Sequence, residues 1–202
     1  MYTQCKQLPV KTPVKLCEKP PCNSVVKNSL LLIASIDTIM KLPPYNIFPT
    51  ITGDKISLRE ILVTDIKNLV DISFYDAVQA TTVQQATEMQ EKISKDYFDG
   101  NSIHWGIEEK LTKKIVGTCG YYRGFYNGTG ELGCVLLPQY RGQGFMTSAM
   151  LLAIDFGLNN IGLKRIRAVT SQQNSAAIRL LERLNFIKIA GLHDNEVEYE
   201  LR

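Results

Sequence analysis

A strand, a turn with two glycines and an amphipathic helix follow one another from Glu131 to Ile154, and no other segment so narrows the folds open to this chain. The strand from Glu131 to Leu137 enters the turn Pro138-Gln139-Tyr140-Arg141-Gly142-Gln143-Gly144. Beyond it Met146, Ala149, Met150, Ala153 and Ile154 recur at helical spacing as one apolar stripe. Glycines let backbone N–H groups converge without side-chain obstruction, and a helix N-terminus adds partial positive charge. Together they make a seat for phosphate oxygens. Two familiar phosphate loops do not fit. No Gly-Lys-Ser/Thr follows, and the third glycine of the dinucleotide fingerprint is missing. By itself the turn also reads as a tight cap on a core helix.

The remaining sequence supplies a mixed α/β frame. With 202 residues, 45% of them hydrophobic, the chain can bury one sizeable core and carry a short appendage. A net charge of +3 marks out neither a nucleic-acid groove nor a membrane patch, so neither partner is expected. The apolar run from Leu30 to Ile36 is far too short to span a bilayer. Cys5, Cys17, Cys22, Cys119 and Cys134 form no metal spacing with His104 or His193; a zinc site on Cys17 and Cys22 would lack partners. The set reads as reduced thiols in a cytoplasmic protein.

Residues 1–45 read as an N-terminal extension. Proline and lysine make it largely irregular up to about Asn28, and a short helix is expected from there to Met40. Residues 46–202 form the domain. Lys55 to Ile61 alternates as a half-buried strand, and Thr64 should cap a helix running through Leu69 and Ile72. Thr82 to Phe98 is a second helix. Ile103 to Glu108 and Ile115 to Tyr122 form a hairpin. After the glycine turn come a strand from Arg165 to Thr170, a helix from Ser175 to Leu184 and strands from Phe186 to Ala190 and Glu196 to Leu201. The order predicts a mixed, mostly antiparallel central sheet flanked by helices.

A second motif, Gln173-Asn174-Ser175 through Glu182-Arg183-Leu184-Asn185-Phe186, follows one strand after the glycine turn. Asn174 can cap this helix, and Asn185 holds the closing position where a left-handed residue is wanted. Arg141-Gly142-Gln143-Gly144-Phe145-Met146 and this second motif together resemble the two signatures of the GNAT acyltransferases. Met146 and Asn185 depart from the family pattern, each where it favours a smaller residue. The likeness runs from about Asn46 to Arg202, taking in Ser57-Leu58-Arg59, Gly117-Thr118-Cys119-Gly120 and Glu198-Tyr199-Glu200-Leu201. It is greatest to the branch containing ribosomal-protein N-terminal acetyltransferases.

The resemblance implies the GNAT fold and an N-acetyltransferase that uses acetyl-CoA as co-substrate, without metal, to acetylate a primary amine. The acceptor would be a protein N-terminus or a small molecule. Main-chain groups of Val135, Leu136 and Leu137 would pair with the pantetheine arm, an N–H near Val135 holding the developing oxyanion. The N–H groups of Gly142, Gln143, Gly144, Phe145, Met146 and Thr147, preceded by Arg141, would bind the pyrophosphate. Asn174 would contact the arm or position the amine. The amine would attack the thioester directly and CoA would leave as thiolate.

Glu131 is the first choice of base, against the ordinary reading of a solvated strand end. Glu196 and His193 are alternatives; His104 reads as a partly buried structural histidine. Leu181 and Ala177 stand where the family often has a tyrosine and a serine, so the acid is not apparent. Cys134 reads as inert core rather than nucleophile. Phe74, Tyr75, Tyr122, Phe125 and Tyr126 could wall a pocket or fill the core, and no concentration of acids that would recruit a polyamine is visible. Strand edges allow a homodimer. The rival readings are a catalytically weak acyl-CoA sensor or scaffold, and an unrelated α/β domain with a glycine turn.

Overall fold

The structure, a computed structural model, describes residues 40–192 and 195–202. The expected irregular leader, the helix expected up to Met40 except Met40 itself, Cys5, Cys17, Cys22 and His193 lie outside these residues.

Among the described residues ten strands and four α-helices follow in the order β1 (Ile51–Thr52), β2 (Ile56–Arg59), α1 (Val63–Ile66), β3 (Phe74–Tyr75), β4 (Val78–Gln79), α2 (Val83–Phe98), β5 (Ile103–Glu109), β6 (Ile115–Tyr122), β7 (Thr129–Leu136), α3 (Phe145–Phe156), β8 (Arg165–Ser171), α4 (Ser175–Arg183), β9 (Phe186–Gly191) and β10 (Glu196–Leu201). Eight strands form one sheet in the order β1-β2-β5-β6-β7-β8-β10-β9, and β3 and β4 form a separate hairpin. Among the described residues every strand pairing is antiparallel except that of β7 with β8, which α3 connects. This is the mixed, mostly antiparallel sheet that the sequence predicts.

Period-two alternation gives the sheet two apolar faces. On one, Trp105, Tyr121, Leu132 and Ile166 pack with Ala149, Met150 and Ala153 of the α3 stripe. Completely removing a Trp or Leu side chain from water stabilises the fold by about 2–3 kcal/mol. Two polar tips here find partners: Trp105 Nε1–H donates to Pro49 O at 2.9 Å, and Tyr121 O–H to Ala153 O at 2.9 Å. A Cβ at Gly157 would lie 2.1 Å from the Tyr121 hydroxyl, so that approach requires glycine. On the opposite face a smaller cluster of Ile61, Ile66, Leu69, Ile72 and Ala86 sits under α1 and α2.

The helix expected over Thr82 to Phe98 forms as α2, with Thr82 as its N-cap, the Oγ1 accepting from Gln85 N–H at 3.2 Å. The helix expected from Thr64 through Ile72 does not form. Only α1 is helical, its first turn fixed by Asp65, whose Oδ2 accepts from Leu62 N–H at 2.9 Å. A tight turn over Val70–Ile72 then takes over. Ile66, Leu69 and Ile72 are three apart, and three-per-turn winding keeps all three buried on one side. The β3–β4 hairpin was not legible in the sequence: its turn residues Asp76 (φ 48°) and Ala77 (φ 62°) are left-handed without glycine.

Candidate active site

The sheet opens beside the glycine turn. β7 pairs with β8 only from Thr129 to Glu131, opposite Arg165 to Arg167, whereas its ladder with β6 continues to Leu136. Leu137 N–H donates to Val116 O at 3.0 Å. Main-chain groups alternate sides along a strand, so those of Val135, Gly133 and Glu131 also face β6. The groups of Cys134 and Leu136 face the gap where β8 has diverged. Of the three residues expected to pair through the main chain, Leu136 therefore lies on the open edge. Val135 and Leu137 spend their groups on β6, and Cys134 takes the second open position.

The open edge runs straight into the turn. Gly142 (φ 76°) and Gly144 (φ 83°) are both left-handed, and a Cβ at either would meet no atom within 4 Å. The first α-helical bond of α3 runs from Ser148 N–H to Gly144 O. Among the described residues, no N–H from Gly142 to Thr147 donates a hydrogen bond. Six consecutive main-chain donors are thus left without a partner at a helix N-terminus, an arrangement that suits a multiply charged anion. Arg141 is exposed on the same turn, and Gln143 Nε2 donates to Gln139 O at 3.1 Å. Phe145 turns inward and is buried, and Met146 packs half-buried against the core.

On the α1–α2 face of β7 lies a cavity of about 570 Å³. Its floor is the sheet, in registered rows. Thr118 stands beside Val135; His104 beside Gly120, which stands beside Gly133; Tyr122 beside Glu131, which stands beside Arg167. Phe74, Tyr75, Tyr122 and Tyr126 of the five aromatics line this space, while Phe125 is core. So do four acids, Asp76, Asp96, Glu131 and Glu196, which the fold brings together from four places in the sequence. That concentration corrects the expectation that none exists. Glu131 is buried: its Oε1 accepts from Arg123 Nη1 and its Oε2 from Arg167 Nη2, the latter at 3.0 Å. Arg167 also reaches Glu198 Oε1 at 3.4 Å, and Tyr75 O–H donates to Asp96 Oδ2 at 3.1 Å. Burial raises the Tyr122 phenol well above its ordinary range, so it stays protonated.

The other expected residues are placed as follows. Asn174 is the N-cap of α4, its Oδ1 accepting from Ala177 N–H at 3.1 Å. Cys134 directs its side chain to the core face, opposite the cavity, and stands across from Cys119. Burial pushes the Cys119 thiol up to about 12, against a partial lowering by Gly120 N–H. His104, read as a partly buried structural histidine, is half-buried on β5 and lines the cavity together with Ser102. Strand alternation carries the signal for His104: Ile103, Trp105 and Ile107 face the core, so His104 between them faces the other way.

The family model described as the acetyltransferase (GNAT) domain matches residues 56–187. The chain belongs to the GNAT family. The uncharacterised N-acetyltransferase YoaA of Bacillus subtilis is 28% identical over 149 residues, 70% of this chain and 84% of its own length. The uncharacterised N-acetyltransferase p20 of Bacillus licheniformis is 29% identical over 155 residues, 73% of this chain and 87% of its own. Among solved structures, a putative ribosomal-protein-serine acetyltransferase from Vibrio cholerae superposes with a TM-score of 0.66 at 19% identity, covering 75% of this chain and 96% of that one.

Within the GNAT frame the departures acquire physical reasons. Met146 fits because its side chain leaves the turn for the core, so the outward N–H groups stay clear. Asn185 adopts φ 64° where the family favours glycine, a conformation asparagine tolerates better than most residues. Leu181 is 3% exposed, so nothing polar at that position reaches the cleft. The chain is an N-acetyltransferase of GNAT type. Among the described residues no helix is long and apolar enough to cross a membrane.

Proposed function

We propose that the protein transfers an acetyl group from acetyl-CoA to a primary amine seated in the cavity on the α1–α2 face. One observation carries this reading: six unengaged N–H donors adjoin an open strand edge, and that edge adjoins an acid-lined cavity. Bound acetyl-CoA supplies the activated acetyl thioester. The N–H groups of Gly142 to Thr147 hold its pyrophosphate, with Arg141 contributing charge. The main-chain groups of Cys134 and Leu136 take the extended arm, Val135 lining the cavity beside them. Asn174 holds the start of α4 with its Oδ1 and keeps its amide N–H₂ for the arm.

Glu131 is the proton acceptor in this reading. Each of its oxygens accepts one guanidinium N–H, and a carboxylate has about four lone-pair sites, so two stay available to an incoming ammonium. Arg123 and Arg167 fix the carboxylate in place. The acceptor is a small amine or a protein N-terminus; the cavity is large enough for either a compact amine or the first residues of a chain. A cytoplasmic setting and a homodimer belong to the same reading.

The test is calorimetric titration with acetyl-CoA of the wild type and of a Gly142→Glu/Gly144→Glu variant, followed by CoA release on an amine panel. Binding should fall at least 100-fold in the variant while its melting transition persists, since carboxylates would occupy the pyrophosphate seat. No binding by folded wild type would sink the proposal. Binding without CoA release from any amine would support the acyl-CoA sensor instead.

A further inference from the structure

Along β7 the cavity face carries Glu131, Gly133 and Val135, so the middle position has no side chain. Tyr122 of β6 stands directly beside Glu131, and its ring leans across the diagonal to that empty position. A Cβ at Gly133 would lie 3.1 Å from Tyr122 Cε2 and 3.5 Å from Cδ2. The approach therefore requires glycine, and the hydroxyl end of the ring comes nearest. His104 backs the ring from β5, with centroids 5.4 Å apart. Gly133 is nearer the glycine turn than Glu131 is, so Tyr122 leans toward the side from which the pantetheine arm enters.

Among the described residues the Tyr122 hydroxyl has no hydrogen-bond partner. Unlike Ser102 Oγ and His104 Nδ1, which are sealed, it opens into the cavity that its residue lines. Other donors at this cavity are committed: Tyr75 O–H to Asp96, Ser73 Oγ to Leu69 O at 2.9 Å, and Arg123 and Arg167 to Glu131. The other floor hydroxyl, Thr118, stands beside Val135, two rows nearer the turn. The arm follows Leu136 and Cys134 and must stop where β7 and β8 rejoin at Glu131 and Arg167. Its thioester then comes to rest beside Gly133, within the space that Tyr122 borders.

We infer that Tyr122 is a catalytic residue whose O–H donates a hydrogen bond to the thioester sulfur and holds the negative charge gained there as CoA leaves. This inference rests on the acetyl transfer proposed above. The neutral amine nitrogen bonds to the carbonyl carbon and gives its proton to Glu131. The carbon–sulfur bond breaks, and its electron pair stays on sulfur. A main-chain N–H of the open edge serves the carbonyl oxygen, so sulfur is the atom whose charge still lacks a donor. Tyr122 keeps its own proton throughout, because burial holds the phenol protonated.

The test titrates bound CoA, whose thiolate is read by its ultraviolet absorbance against CoA-free protein, in wild type, Tyr122→Phe and Thr118→Val. At pH 7.5 wild type should hold about tenfold more of the bound CoA as thiolate than Tyr122→Phe does, with Thr118→Val close to wild type. Tyr122→Phe should keep its Tm within about 2 °C, since the lost hydroxyl has no protein partner. With the amine that releases most CoA in the panel above, it should lower kcat roughly 100-fold and leave both KM values within about twofold. Equal thiolate fractions in wild type and Tyr122→Phe overturn the inference, as does wild-type kcat in Tyr122→Phe. A kinetic loss matched by Thr118→Val overturns it too, since the effect would not belong to Tyr122. A folded wild type that binds no CoA brings down the proposed function itself. Binding without release from any amine counts against acetyl transfer, while the thiolate titration still reads the contact to sulfur.

Discussion

Two turns border the two ends of the candidate site, and both require left-handed backbone. The one before α3 meets this requirement with Gly142 and Gly144; the one between β3 and β4 meets it with Asp76 and Ala77. The difference follows from what each turn faces. Nothing lies within 4 Å of a Cβ at either glycine, and the outward N–H groups need that emptiness. The hairpin turn faces no such demand, and its flanks hold it: Ala80 N–H donates to Ser73 O at 2.9 Å, Tyr75 donates to Asp96, and Lys92 Nζ sits 5.4 Å from the Tyr75 ring centroid. Where the main chain must stay open to its surroundings, the conformational requirement is written locally. Where packing enforces the conformation, it is not.

The same contrast separates the two sides chemically, and it can be broken experimentally. The largest effect is expected at His104. Burial lowers its pKa to about 4 from an ordinary value near 6.5. The unfolded chain therefore takes up a proton that the folded chain refuses. The stability this confers is complete above about pH 6.5 and is lost as pH falls toward 4, by about 3 kcal/mol. Denaturant melts across this range should steepen on the acid side for wild type and flatten for His104→Asn. Equal slopes would show that the ring is not shielded. Pro138 to Thr147 contains no histidine or carboxylate and should contribute nothing to this dependence.

Next comes Gly142→Ala/Gly144→Ala. Two left-handed alanines should cost about 2 kcal/mol after the gain in unfolded-state rigidity, although the space around them is open. Acetyl-CoA affinity should drop about tenfold as the donors are displaced; unchanged affinity would mean that the turn does not hold the phosphates.

Glu131→Gln should then cost about 1–2 kcal/mol by removing the carboxylate that Arg123 and Arg167 share, Arg167 keeping only Glu198. It should also lower kcat/KM for the acceptor about 100-fold, with acetyl-CoA binding retained. Wild-type turnover in this variant would remove Glu131 as proton acceptor. The smallest effect should be at the other turn, where Ala77→Gly stabilises by about 0.5 kcal/mol, relief of left-handed strain exceeding the added unfolded-state entropy. A destabilised Ala77→Gly protein would show that the turn is not strained.

The amino-acid sequence alone determined the parts whose causes lie within a few residues. Period-two runs specified β5, β6 and β7, the apolar stripe specified α3, and Thr82 and Asn174 specified helix starts through caps that reach three residues ahead. The paired glycines specified the open left-handed turn before α3 because their conformational freedom is intrinsic to the residue. Tertiary structure decided the rest. Glu131 acquires its two arginines from positions 8 and 36 residues away. Four acids separated in sequence line one cavity. Val135 and Leu137 turn to β6 while Leu136 and Cys134 face the gap, because pairing with β6 fixes which main-chain groups remain. The expected helix at Thr64 gave way to tighter winding because Ile66, Leu69 and Ile72 had to share one buried side. Local propensity acts over one turn of chain, whereas charge pairing, strand divergence and cavity walls arise only when distant segments meet.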